Sequence, residues 1–124
     1  MIEEDYVSFE TAKLMKEKGF DEPCVKKVTR GVIPDVLVIE ASEESSYPQP
    51  TIQIAMKWLR EVHNLFIFIS TWLKHKNGTV QYYYEIRNLN DKDFETIAGT
   101  TITEFDSPEK TSEAAIKYCL ENLI

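Results

Sequence analysis

The sequence predicts an α+β fold, a two-layer sandwich in which helices pack on one face of a three-stranded antiparallel meander. Three observations favour this class. Apolar residues recur at helical spacing in three stretches, each with a helix-start signal. Three further, consecutive stretches are rich in the β-branched and aromatic residues typical of strands. Asn77-Gly78 marks a hairpin between the first two of these strands.

Length and composition indicate one domain. The chain has 124 residues, of which 43% are hydrophobic. A chain of this size buries about two thirds of the surface that it exposes when unfolded, so it can fold on its core alone. We expect a single domain over residues 1–124. It comprises an N-terminal helix and short strands over 1–40, a polar, proline-containing loop over 41–50, and an α-β-β-β-α core over 51–124.

The N-terminal unit opens on a helix. Ser8 can cap it through its side-chain oxygen, and Gly19 can end it. Phe9, Ala12 and Met15 supply a narrow apolar stripe at three-residue spacing. Two short extended segments are expected to follow, over residues 25–30 and 36–39.

Two helices flank the strands of the core. Residues 51–63 form the first, with Pro50 placed at its first turn, where a missing N–H costs nothing. Ser107 and Pro108 begin the second, which runs to about residue 123. The apolar stripes expected to face the sheet are Ile52, Ala55, Leu59 and Val62 on the first helix and Ile116, Cys119, Leu120 and Leu123 on the second.

Between these helices we expect strands over residues 65–73, 79–87 and 94–105. Asn77-Gly78 is typical of a type I′ turn, which needs a positive φ at both central residues. Alternation along the second strand directs its even-numbered residues towards the helices and its odd-numbered residues towards the opposite face of the sheet.

The element order of residues 51–124 is that of the double-stranded-RNA-binding fold, as an analogy of topology alone. That fold places lysines at the start of its last helix, where they bind phosphates across a groove. Here residues 106–110 occupy that place and are largely acidic. The sequence therefore gives no support to binding of duplex RNA.

Several stretches resemble known sequences. They are YPQPT over residues 47–51, KWLREVHN over 57–64, and the C-terminal SPE over 107–109 followed by EAAIKY over 113–118. Together they resemble uncharacterised small proteins carried by bacteriophages and mobile elements of gut bacteria. The resemblance implies a bacterial cytoplasmic accessory protein, and it assigns no catalytic or binding residue.

Charge is unevenly distributed along the chain. Fourteen basic against 21 acidic residues give a net charge of −7, which disfavours general nucleic-acid binding and anionic membranes. Residues 51–78 nevertheless carry four bases and one acid. Lys57, Arg60, Lys74 and Lys76 are thus candidate contacts for an acidic partner or a nucleic-acid end. The alternative is a solvated helix face with a charged hairpin that protects a strand edge.

An aromatic surface is the second candidate. Tyr82, Tyr83 and Tyr84 cannot share one face of a strand, so Tyr83 is expected on the face opposite the helices, near Trp72 or Phe68. An uncovered face of this kind would be an interaction surface. The alternatives are cover by the N-terminal helix or by the partner of a homodimer.

The residues that carry chemistry show no recognisable site. His63 and His75 lie twelve residues apart without the spacing of metal ligands, and Cys24 and Cys119 do not indicate a disulfide. There is no nucleophile motif, and the four glycines are scattered singly rather than in a phosphate loop. We expect no enzyme activity, no cofactor and no metal.

The N-terminus predicts no signal peptide, since it is acidic and lacks an apolar region. The longest apolar run, residues 65–69, is too short to cross a membrane. We therefore expect a cytoplasmic protein that acts by protein–protein binding, with an unknown partner or as a homodimer. One alternative is a nucleic-acid mimic that inhibits a host defence or regulatory protein. The other is nucleic-acid binding through the basic unit over 51–78.

Overall fold

A computed structural model of the chain describes residues 2–22, 49–90, 96–99 and 105–124. Within them lie three α-helices and three strands, and the α+β class is confirmed. The segments predicted over 25–30 and 36–39, and most of the loop predicted over 41–50, lie outside the described residues. The elements are α1 (Phe9–Glu17), α2 (Ile52–His63), β1 (Leu65–Lys74), β2 (Val80–Asn88), β3 (Thr96–Gly99) and α3 (Pro108–Tyr118), which ends in a π-helical turn (Cys119–Leu123).

The sheet has the strand order β1-β2-β3, and both pairings are antiparallel. Three of the four residues of β3 pair with β2, and a separate bridge joins Tyr82 to Phe105. The strand predicted over 94–105 is therefore described over Thr96–Gly99 alone, and the meander as a whole stays a prediction.

Side-chain hydroxyls begin all three helices. Ser8 accepts a hydrogen bond from the N–H of Thr11, and Ser107 accepts one from the N–H of Lys110, as their spacing predicts. The start of α2 differs from the prediction, because Thr51 caps it and Pro50 stands one residue outside. The carbonyl of Pro50 instead accepts a hydrogen bond from the N–H of Val7, at 3.0 Å, which ties the N-terminal segment to α2.

The core lies between the helices and one face of the sheet. Ile52, Ala55 and Leu59 of α2 are buried as predicted, but Val62 is 58% exposed and the prediction for it is wrong. Trp58 takes its place, with its ring edge-on to Phe20 at 5.4 Å between centroids. The bulk of the indole fixes the rotation of α2, and the smaller Val62 is left at the surface.

The β1–β2 hairpin forms as predicted, but its turn is not of type I′. Gly78 has a φ of 92°, whereas among the described residues Asn64 is the one non-glycine with a positive φ. The N–H of Gly78 donates to the carbonyl of His75 (2.9 Å), and the N–H of His75 donates to the carbonyl of Thr79 (2.7 Å). These two bonds close a three-residue loop, in which one left-handed glycine is sufficient.

Candidate interaction surface

The register of β1 against β2 separates two faces of the hairpin. Ile67 lies opposite Ile86, and both side chains are buried beneath the helices. On the other side, Phe66 lies opposite Arg87 and Phe68 opposite Glu85. Phe66 is 38% exposed and Phe68 is 43% exposed, because no helix of the described residues packs over them. We call this surface the open face; its residues are Phe66, Phe68, Trp72, Tyr83, Glu85, Arg87 and Leu89.

Trp72 joins the open face through an irregularity in β1. The register shifts between Thr71 and Leu73, so Trp72 stands at a bulge. Its ring meets that of Tyr83 edge-on, at 6.2 Å between centroids and 86° between planes. Edge-to-face packing is the arrangement that aromatic quadrupoles favour. The structure thus brings Trp72 and Tyr83 together, with 64% of Trp72 exposed.

The charged pair on this face is weakly held. One guanidinium nitrogen of Arg87 lies 3.4 Å from a carboxylate oxygen of Glu85, two residues away on the same strand. Exposed ion pairs of this kind contribute about 0–1 kcal/mol. A shallow, almost wholly apolar cleft of about 270 Å³ runs beside the pair, lined by Phe66, Phe68, Arg87 and Leu89.

The far end of the hairpin projects beyond the helices. Strand β1 has 10 residues and spans about 33 Å, whereas α2 has 12 residues and spans about 18 Å. Residues 71–79 are accordingly all exposed, and we call them the arm. Lys74 and Lys76 lie at its end.

The other two predicted basic contacts have different neighbours. Arg60 is half-buried on α2, and Lys57 is exposed there beside Glu61. The two pairs of cations thus belong to separate elements, one to α2 and one to the arm.

A larger groove lies between the N-terminal segment and α2. It encloses about 490 Å³, with Tyr6, Phe20 and Trp58 among its aromatic lining. Among the described residues that line it are also the carboxylates of Glu4, Glu22 and Glu61 and the ammonium group of Lys57.

Neither His63 nor Cys119 is set up for chemistry. Cys119 is fully buried, and burial raises the pKa of its thiol to about 12, so the nucleophilic thiolate is not populated near neutral pH. The ring of His63 packs edge-on to Trp58, at 4.7 Å between centroids. Within the described part of the chain, no three His, Cys, Asp or Glu side chains are grouped as metal ligands would be.

Burial of His63 predicts a pH-dependent loss of stability. Burial lowers the pKa of His63 below its usual 6.5, and its Nε2 is buried without a hydrogen-bond partner among the described residues. As the pH falls through 6.5, the unfolded chain binds this proton before the folded chain does, so the free energy of unfolding decreases. Urea unfolding of His63→Phe at pH 7.0 and 5.5 should show a smaller decrease than the unmodified chain. His75→Phe, at an exposed position of the arm, is the control; an equal decrease in all three proteins would contradict the prediction.

Comparisons with protein-family models, with curated proteins and with solved structures find no match to this chain. Among the described residues, no helix has both the length and the apolar character needed to cross a bilayer.

Four residues of the open face are not among the contacts predicted from the sequence, namely Phe66, Glu85, Arg87 and Leu89. Phe66 sits in an unbroken apolar run, where alternation cannot be read. Alternation along β2 places Glu85 and Arg87 on this face but does not distinguish them from ordinary surface charges. The pairing register places them, but it cannot be counted from the hairpin loop. The bulge at Trp72 shifts the register by one residue, and uninterrupted counting would pair Phe68 with Ile86 beneath the helices instead of with Glu85.

Proposed function

We propose that this chain is a non-catalytic binding protein of the bacterial cytoplasm, and that the open face is its binding surface. The observation that carries the proposal is the exposure of Phe66, Phe68 and Trp72 side by side on one face of a paired sheet. Monomeric proteins rarely leave contiguous apolar surface of this kind without a partner. The resemblance to small accessory proteins of bacteriophages supports the same reading.

The composition of the open face favours a protein as the ligand. Tryptophan, tyrosine and arginine are the residues that contribute most often to binding energy at protein interfaces. The open face offers Trp72, Tyr83 and Arg87, with the carboxylate of Glu85 among them. Tyr83, Glu85 and Arg87 stand on β2, where Tyr84 and Ile86 between them are buried in the core, so the backbone that carries them needs no ordering on binding.

The proposal includes the finer architecture that the sequence predicts. If all helices pack on one side of a three-stranded meander, the other side is available for binding over β1 and β2. Two alternative functions stay predictions from the sequence. One is a nucleic-acid mimic, and the other is nucleic-acid binding through the basic residues between positions 51 and 78. The separate placement of Lys57 and Arg60 on α2 and of Lys74 and Lys76 on the arm lends the second no added support.

A site-specific photocrosslinker tests the proposal. Benzoylphenylalanine at position 68, in the chain expressed in a gut-bacterial host, should give a discrete crosslinked product. The same group at Gln53, which is exposed on α2, should not. Trp72→Ala should reduce the yield at position 68, because it removes an anchor of the same face. Equal crosslinking at both positions, or none at position 68, would count against the open face.

A further inference from the structure

We propose that the occupant of the open face is a second copy of this chain, bound face to face about a two-fold axis. This inference rests on the proposed function and names the partner of the same surface. Its basis is that the charged and the apolar residues of the open face are complementary to those of a second copy under one two-fold rotation.

The charges show this most directly. Glu85 and Arg87 lie two residues apart on β2 and therefore on the same face, about 7 Å apart along the strand. A two-fold axis that runs parallel to the sheet, across the strands at Ile86, places Glu85 of each copy over Arg87 of the other. Two ion pairs form between copies in place of the weak pair within each strand.

The apolar residues of β1 are also complementary between copies under the same rotation. The register sets Ile67 opposite Ile86, so the axis also crosses β1 at Ile67, whose side chain points into its own core. Phe66 of each copy then lies over Phe68 of the other. One axis therefore brings the phenylalanines of the two copies together and also pairs their opposite charges.

A third contact follows without further adjustment. Tyr83 lies three residues before Ile86, and Leu89 lies three residues after it. The rotation therefore places Tyr83 of each copy over Leu89 of the other. Both border the surface already described, Tyr83 against Trp72 and Leu89 in the apolar cleft with Phe66 and Phe68. A heterologous partner would have to supply all three complementary features, whereas a second copy has them in the required order.

This dimer replaces the contact between Glu85 and Arg87 of one strand by two contacts between copies. The Glu85–Arg87 contact within a strand is long, at 3.4 Å, and both side chains are partly exposed, at 28% and 44%. Beside the phenylalanines of β1 in both copies the same charges would be partly shielded from water, and there ion pairs are stronger and help to determine which partner is accepted.

Charge exchange tests the arrangement with purified full-length chain and sedimentation equilibrium. The unmodified chain should have twice the mass of 14.4 kDa. Glu85→Arg alone and Arg87→Glu alone should each fall to the single mass, because like charges then oppose each other across the axis. An equimolar mixture of these two variants should recover the double mass, and so should the double variant Glu85→Arg/Arg87→Glu. That recovery also shows that the single variants are folded.

The failures of the two proposals are distinguishable. A dimer that persists in both single variants, a mixture that stays at the single mass, or an unmodified chain that is monomeric overturns the face-to-face dimer. A crosslink from position 68 to a different protein would leave the proposed function standing while this inference fails. Absence of any crosslink from position 68 removes both.

Discussion

Ile67→Ala should lower the free energy of unfolding by about 2–4 kcal/mol, whereas Phe68→Ala, one residue further along β1, should lower it by only about 1–1.5 kcal/mol. Ile67 is 5% exposed and packs in the core, so truncation leaves a cavity. Phe68 is the larger side chain, but 43% of it faces water on the open face. Urea unfolding followed by circular dichroism measures both, in an Arg87→Glu background in which association does not contribute.

This comparison also bears on the binding surface. If Phe68→Ala cost as much as Ile67→Ala, the ring of Phe68 would be covered within the folded monomer. The open face would then be an internal surface, and both the proposed function and the dimer would lose their basis. A small cost at position 68 in that background, together with loss of the double mass when Phe68→Ala is made in the otherwise unmodified chain, would indicate that the side chain serves association rather than folding.

Glu113→Ala should lower the free energy of unfolding by about 2–4 kcal/mol, because one carboxylate oxygen joins two helices distant in sequence. Oε1 of Glu113, on α3, accepts a hydrogen bond from the N–H of Ser8 (3.0 Å) and another from the hydroxyl of Thr11 (2.7 Å). Thr11 is fully buried, so its hydroxyl would be left with fewer partners and no access to water.

Two matched variants give this prediction its controls. Glu109→Ala removes an exposed carboxylate from the first turn of the same helix and should cost only a few tenths of a kcal/mol. Glu113→Gln keeps an acceptor oxygen and should lose less than the alanine variant. The prediction would be wrong if Glu113→Ala and Glu109→Ala unfolded at the same urea concentration.

The helix starts could be predicted because their chemistry is local. Ser8 and Ser107 each stand three residues before the backbone N–H that they accept from, and that spacing is visible in the sequence. At α2 two start signals stand side by side, Pro50 and Thr51. The hydroxyl of Thr51 satisfies an N–H of the first turn, and the ring of Pro50 cannot, which decides the position of the cap.

The open face could be predicted only in part, because it depends on packing between distant elements. Alternation along β2 was enough to place Tyr83 away from the helices. Leu65, Phe66 and Ile67 are all apolar, and nothing in their order says which of them the helices cover. The buried Trp58 escaped for the same reason, since its cover comes from Phe20, far away in the chain.

Asn64 limits how the length of this chain can vary between related sequences. It alone separates α2 from β1, with a φ of 58°, and its carbonyl accepts a hydrogen bond from the N–H of Leu89 at 2.8 Å. One residue inserted into α2 would turn every preceding side chain by about 100° relative to the sheet and carry Trp58 out of the core. Insertions and deletions should therefore be excluded between residues 52 and 65 and accumulate at the loop of the arm, where the backbone contacts only itself.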